Sequence, residues 1–234
     1  MIRALIETSL VDWDGKITTV LFFDACNFRC PFCQNWELIC SPEQFPVIEW
    51  SRIKEKLLKK QGWIDGVVLT GGEPLVNPKE VFELSRKVKT LNLAVKLDTN
   101  GAYPKILKKL IDAQLIDYVA MDVKAPLDRR YATAAGSKVN LDAITESITM
   151  LMTGCIEYEF RTTCVPGIID KQNLMQIGTA IKGARRWALQ AYVPENAYKE
   201  AYRKELPEQY MDQLDGYSTI AKKYVNNVIL RGKK

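Results

Sequence analysis

The sequence contains no histidine. That absence removes imidazole as general base, as member of a nucleophilic triad and as zinc ligand, closing the commonest routes to hydrolytic and acid–base catalysis. No apolar run approaches the roughly 18 residues of a membrane span, and no basic, apolar, small-residue leader opens the chain. The expectation is a cytoplasmic protein with no membrane partner. Nor is there a strong excess of one charge: 33 Lys and Arg against 28 Asp and Glu give +5, and the basic residues are scattered rather than gathered in an arm, so no nucleic-acid partner is implied. No linker, low-complexity tract or internal repeat divides the chain, which is read as a single domain, 1–234. With 47% hydrophobic and 26% charged residues it has the composition of a globular protein that folds without disulfides.

Short β-branched or apolar runs alternate with stretches whose apolar residues recur every three or four positions, the pattern of repeated βα units. The strand candidates are 18–23, 66–70, 94–98, 118–122, 158–163 and 188–192. Helical faces are read from Val81, Leu84, Val88 and Leu91 after a cap at Asn77, from Leu141, Ile144, Ile148 and Leu151, and from Leu174, Ile177 and Ile181 after a cap at Asp170. Residues 210–224 read as a last helix and 226–230 as a closing extended segment. Six units are too few for a closed eight-stranded barrel. The expectation is an α/β fold of the partial (β/α)6 TIM-like kind, with functional groups at the C-terminal ends of its strands.

Half of the six cysteines fall in one loop after the first of these strands, Cys26-Asn27-Phe28-Arg29-Cys30-Pro31-Phe32-Cys33. Three thiolates on a short loop suit an iron–sulfur cluster with one iron left open to a small molecule, whereas structural zinc needs a fourth ligand, for which Cys40 is the local candidate. The second strand ends in Thr70-Gly71-Gly72-Glu73-Pro74, where glycines permit close backbone approach and Glu73 offers an acceptor for an ammonium group; an ordinary glycine turn is the alternative. The third ends in Leu97-Asp98-Thr99-Asn100-Gly101, an Asn-Gly turn that does not compete with a ligand role. The fourth places Asp122 and Lys124 two apart on one side of a strand, as a site pair or a plain ion pair. The fifth carries Arg161, whose head either meets a buried anionic partner or reaches the surface. Cys155 and Cys164 are read as small core residues and the five tryptophans, in the main, as core or loop packing, with shielding of the cysteine loop by Trp13 and Trp36 as the alternative. The lysine faces at 54–60 and 105–109 are read as solvated.

The C-x3-C-x2-C spacing with Phe32 before its last cysteine, followed in order by the other motifs, resembles the radical S-adenosylmethionine (SAM) superfamily. Within it, the set is similar to the activases of glycyl radical enzymes, the group acting on pyruvate formate-lyase and anaerobic ribonucleotide reductase. The resemblance implies the radical SAM type of partial barrel and a [4Fe–4S] cluster on Cys26, Cys30 and Cys33, its open iron chelated by the SAM methionine. It implies SAM binding by Gly71, Gly72, Glu73, Pro74 and Asn100, and a monovalent cation held by Asp98, Thr99 and Asp122. Lys124 and Arg161 would face SAM or the entering peptide as the catalytic pair. The implied reaction is reductive cleavage of SAM to a 5′-deoxyadenosyl radical that takes hydrogen from a glycine of a partner glycyl radical enzyme, with flavodoxin or ferredoxin as electron donor. This sequence departs from the group at Ala25, where glycine is common, at Gln34, where histidine is common, and at Asp12-Trp13-Asp14-Gly15. Two alternatives remain at this level: radical SAM chemistry on a small molecule or peptide, and a non-catalytic zinc or iron–sulfur module.

Overall fold

The computed structural model describes residues 1–232, which fall into two compact units. Residues 233 and 234, the end of the expected 1–234 domain, lie outside the described residues. The first unit comprises Met1–Asn27, Asn35–Thr99 and Tyr103–Val119; the second comprises Phe28–Gln34, Asn100–Ala102 and the chain from Ala120 onward.

In the first unit, β1 (Ile2–Ser9), β2 (Thr18–Phe23), β3 (Gly66–Gly71) and β4 (Ala94–Thr99) hydrogen-bond in that order. The helices are α1 (Trp36–Cys40), α2 (Trp50–Lys59), α3 (Pro78–Lys89) and α4 (Pro104–Asp112). β2, β3 and β4 are parallel and rich in Val and Leu, and Val20, Leu21, Val67, Val68, Leu69, Val95 and Leu97 are fully buried, as both faces of a parallel sheet require. Their register pairs Thr18 with Gly66 and Phe23 with Gly71, so β2 and β3 end level and the segments following them start at one edge. The helices bury one stripe each: Ile53 and Leu57 on α2, Val81, Leu84 and Val88 on α3, Leu107 and Leu110 on α4.

The strand candidates at 18–23, 66–70 and 94–98 agree with β2, β3 and β4 to within one residue. β1 was not expected. It runs antiparallel to β2 with register shifts between Ile2 and Ala4 and between Ile6 and Ser9, and its burial does not alternate, so the sequence shows no period of two. Asn77 is the N-cap residue of α3 as expected, its carbonyl accepting from Val81 N at 3.2 Å, but its side chain makes no capping hydrogen bond. Its amide donates to Glu80 Oε2 at 3.1 Å, and Pro78 starts the helix. That helix ends two residues before Leu91.

β5 (Tyr118–Asp122) begins in the first unit and ends in the second. The second unit continues with α5 (Arg129–Ala135), α6 (Leu141–Thr153), β6 (Glu157–Thr163), α7 (Lys171–Ala180), β7 (Trp187–Gln190), α8 (Tyr210–Ala221) and β8 (Val228–Arg231). β6, β7 and β8 are parallel and adjacent in that order, so the closing extended segment joins the sheet. Asp170 caps α7 as expected, Oδ1 accepting from Asn173 N at 2.7 Å, and Asn140 caps α6. Tyr210, Leu214, Tyr217 and Ala221 form the buried face of α8. Glu159, fully buried on β6, receives Arg231 of β8 through two hydrogen bonds of 2.7 and 2.8 Å, which satisfies a carboxylate that would be prohibitive alone.

The core expectation for Cys155 changes, and Trp63 is an exception among tryptophans read in the main as core or loop packing. Cys155 is exposed, while Cys164 is buried, its thiol pushed up to about 12 by that burial. Trp63 is 74% exposed, in contrast to the buried Trp13 and Trp187. Trp13 packs against Tyr118 in a tilted arrangement, with ring centroids 5.6 Å and planes 47° apart, and lies against Gly66, at the start of β3. Among the described residues no helix is long and apolar enough to cross a membrane.

Candidate metal centre and cofactor site

The cysteine loop begins at the end of β2. Cys26 belongs to the first unit, Cys30 and Cys33 to the second. Among the described residues no disulfide engages the cysteines, and no three Cys, Asp or Glu side chains are gathered at ligating distance.

In the first unit the chain after β3 turns back onto the end of β2. Gly72 N donates to Phe23 O at 2.8 Å and Glu73 N to Ala25 O at 2.6 Å. A Cβ on Gly72 would lie 2.0 Å from the Ala25 carbonyl oxygen and 3.3 Å from Cys26 Cβ. The backbone whose approach these glycines permit is thus the root of the cysteine loop itself. Asn35 adds a donor to Gly71 O at 3.0 Å. Glu73 is buried, and Oε1 accepts from Thr99 Oγ1 at 2.9 Å and from Leu75 N at 3.1 Å, capping the short turn Pro74–Val76. The half-buried Tyr103 phenol is raised by burial and then by the negative charges of Glu73 and Cys26, which places the three near one another.

Asp98 and Thr99 end β4. Thr70 Oγ1 donates to Asp98 Oδ2 at 3.2 Å, and Lys96 Nζ stands 3.4 Å from Asp98 Oδ1. Lys96 is 1% exposed; its ammonium also donates to the carbonyl of Asp12 and sits 5.8 Å from the Tyr118 ring centre. Lys96 and Tyr103 were not singled out from sequence, because a lysine or tyrosine next to a loop motif ordinarily reads as surface.

In the second unit Asp122 receives Arg161 Nε at 2.8 Å on one oxygen and Lys124 Nζ at 3.0 Å on the other. Burial raises the Asp122 carboxyl, but the two cations outweigh it and hold the group at about 2; the same carboxylate keeps Lys124 above its ordinary value despite burial. Cys30 is buried, which pushes its thiol up to about 11; the Lys124 ammonium opposes that rise, and Cys33 and Asp122 add to it. Tyr131 OH donates to Asp122 O at 3.3 Å. Asn100 Oδ1 accepts from Ala102 N at 3.0 Å, and Gly101, with φ of +78°, makes the expected left-handed turn, which Ser147 secures by donating to Gly101 O at 2.8 Å.

The sign of the acid response follows from Asp122. Its folded value is depressed, so its stabilising contribution is complete above the ordinary 3.8 and vanishes as pH falls through about 2. Urea unfolding of the parent and of Asp122→Asn should differ at neutral pH and converge at the acid end of that window. A gap that persists below it would contradict the ion-paired carboxylate.

A family model, the Radical SAM superfamily, matches residues 20–175. A protein of Methanocaldococcus jannaschii, named as a glycyl-radical enzyme activating enzyme, is 31% identical over 99% of this chain and 95% of its own length. The pyruvate formate-lyase-activating enzyme of Clostridium pasteurianum is 27% identical over 79% of this chain and 77% of its own. Among solved structures, a domain of a pyruvate-formate lyase-activating enzyme from Bacteroides vulgatus aligns with a TM-score of 0.57 at 16% identity, covering 71% of this chain and 99% of that one, which shows the shared α/β partial-barrel fold. The chain belongs to the radical SAM superfamily, within its glycyl-radical enzyme activating group.

Proposed function

We propose that this chain, acting as one domain over 1–234 in the cytoplasm, is a radical SAM oxidoreductase that generates a glycyl radical on a partner protein. The reading rests above all on the relative that spans 99% of the chain. The proposed metal ligands are Cys26, Cys30 and Cys33. Three soft thiols on one loop are the donor set of a [4Fe–4S] cluster, and Lys124, which favours the Cys30 thiolate, is the charge complement such an anionic group needs. Bound there, the cluster would supply one-electron reduction of SAM, and with it a 5′-deoxyadenosyl radical able to take hydrogen from glycine.

The chain's own residues bind and orient. Glu73 is buried, and Oε1 accepts hydrogen bonds from Thr99 and Leu75, which makes the side chain a suitable acceptor for the SAM ammonium beside Gly71, Gly72 and Pro74. Asn100 shapes the turn after β4. Lys124 and Arg161 share the single negative charge of Asp122, so the trio carries a net positive charge that suits the SAM carboxylate. The monovalent cation implied by the resemblance would be held by Asp98, Thr99 and Asp122, whose carboxylates also pair with Lys96 and with Lys124 and Arg161. The protein partner is a glycyl radical enzyme, and flavodoxin or ferredoxin is the proposed electron donor.

Anaerobic reconstitution with iron and sulfide tests the reading. The reduced protein should give a cluster resonance that shifts on adding SAM, and it should release 5′-deoxyadenosine; Cys40→Ser should leave both intact. A colourless zinc protein that loses its metal on replacement of Cys40, with no response to SAM, would overturn it.

A further inference from the structure

The second half of the cysteine loop is held from two sides by parts of the second unit. On one side, α5 ends beneath it: Arg29 N donates to Ala135 O at 2.9 Å, and Gly136, with φ of +60°, comes so close that a Cβ would lie 2.0 Å from Arg29 O. On the other side runs the segment between β7 and α8. Lys199 N donates to Pro31 O at 2.8 Å, Gln34 Nε2 to Val193 O at 2.5 Å, and Asn196 Nδ2 to Gln34 O at 3.1 Å. The segment is itself braced. Ala197 is fully buried, Arg203 Nε donates to Ala197 O at 2.7 Å, and Tyr192 OH donates to Tyr202 O at 2.5 Å.

We infer that residues 193–203 form a strap that fixes the cysteine loop before any metal arrives, and that Gln34 and Asn196 are positioning residues for Cys33. The argument is one of pre-organisation. A short loop of three thiols would otherwise be ordered only when metal binds, at the expense of affinity. Here Gln34 and Asn196 reach between two exposed chain segments in both directions, amide to carbonyl each way, one residue beyond the last cysteine. The departure at Gln34 thus acquires a purpose within this chain: its primary amide supplies the donor for Val193 O while its backbone accepts from Asn196. The metal-binding consequence rests on the proposed cluster; the strap itself does not.

The test uses the full metal-free chain and iodoacetamide, with the exposed Cys155 as internal reference and the buried Cys164 as reporter of global opening. Asn196→Ala and Gln34→Ala should each raise the alkylation rate of Cys33 relative to Cys155 by about fivefold, the factor that one net hydrogen bond is worth. The isosteric Gln34→Glu, which keeps shape but loses the amide donor, should match Gln34→Ala. An unchanged Cys33 ratio in Gln34→Glu overturns the inference, and if Asn196→Ala also exposes Cys164, the Gln34→Glu result decides alone. In the reconstituted chain the same variants should lose iron to a chelator about fivefold faster. A chain that takes up no iron defeats the proposed function and leaves the alkylation result to judge the strap.

Discussion

Replacing Lys96 by methionine is expected to lower the unfolding free energy by about 3–5 kcal/mol, the usual cost of removing one partner from a buried ion pair. At the size of this chain that is a fall in melting temperature of roughly 6–20 °C. Methionine matches the methylenes of lysine, so the loss would come from charge and hydrogen bonding and not from a cavity. It would leave the Asp98 charge without its ammonium and the Asp12 carbonyl without that donor. Lys96 stands two residues before Asp98 on β4, hence on the same face of the strand, which is why one ammonium serves both the loop before β2 and the end of β4. The companion Asp98→Asn should rescue part of the loss, with a coupling energy of about 1–3 kcal/mol in a double-mutant cycle. A single-variant loss below about 0.5 kcal/mol, the range of ordinary surface changes, would show that Lys96 is solvated.

Gly72→Ala should cut iron binding by tenfold or more, about 1.4 kcal/mol at the least. The new Cβ would stand 2.0 Å from the Ala25 carbonyl oxygen, and neither party is a flexible side chain, so the backbone carrying Cys26 has to move by more than about 1 Å to restore contact distance. The hydrogen bonds from Gly72 N to Phe23 O and from Glu73 N to Ala25 O would be strained with it. Gly216→Ala supplies the control. That glycine lies within α8 with nothing inside 4 Å of its would-be Cβ, and alanine there should stabilise the helix by up to about 1 kcal/mol. Iron stoichiometry after reconstitution and thermal melts of both variants decide the matter. Full iron content in Gly72→Ala would mean that the turn after β3 does not set the position of Cys26.

The parts of this molecule that were legible in sequence are those whose signal is local. Strands of unbroken Val and Leu, helices with apolar residues at three and four, and caps such as Asp170 announce themselves within a window of a dozen residues, and the motifs duly follow strand ends. What escaped detection depends on partners far along the chain. Lys96 reads as an exposed lysine until the carbonyl of Asp12 is brought to it, and Glu159 reads as a surface residue until Arg231 arrives 72 positions later. The grip of the strap on Gln34 spans 159 positions. β1 escaped for another reason: its bulges and uneven burial erase the alternation by which a half-buried strand is recognised. The glycines at the end of β3 are legible as a place of close backbone approach, but that the root of the cysteine loop packs there depends on a segment more than forty positions earlier.

The Asp122, Lys124 and Arg161 trio also determines how this protein meets a change in acidity. Asp122 stays ionised down to about 2, Lys124 stays protonated beyond its ordinary 10.5, and the chain holds no imidazole. Over about pH 5 to 8, where proteins ordinarily gain and lose charge through histidine, the electric field of this trio is constant. A bell-shaped rate profile measured in that interval would therefore not originate in this trio, whose hold on an anion should weaken with added salt and stay level across the interval.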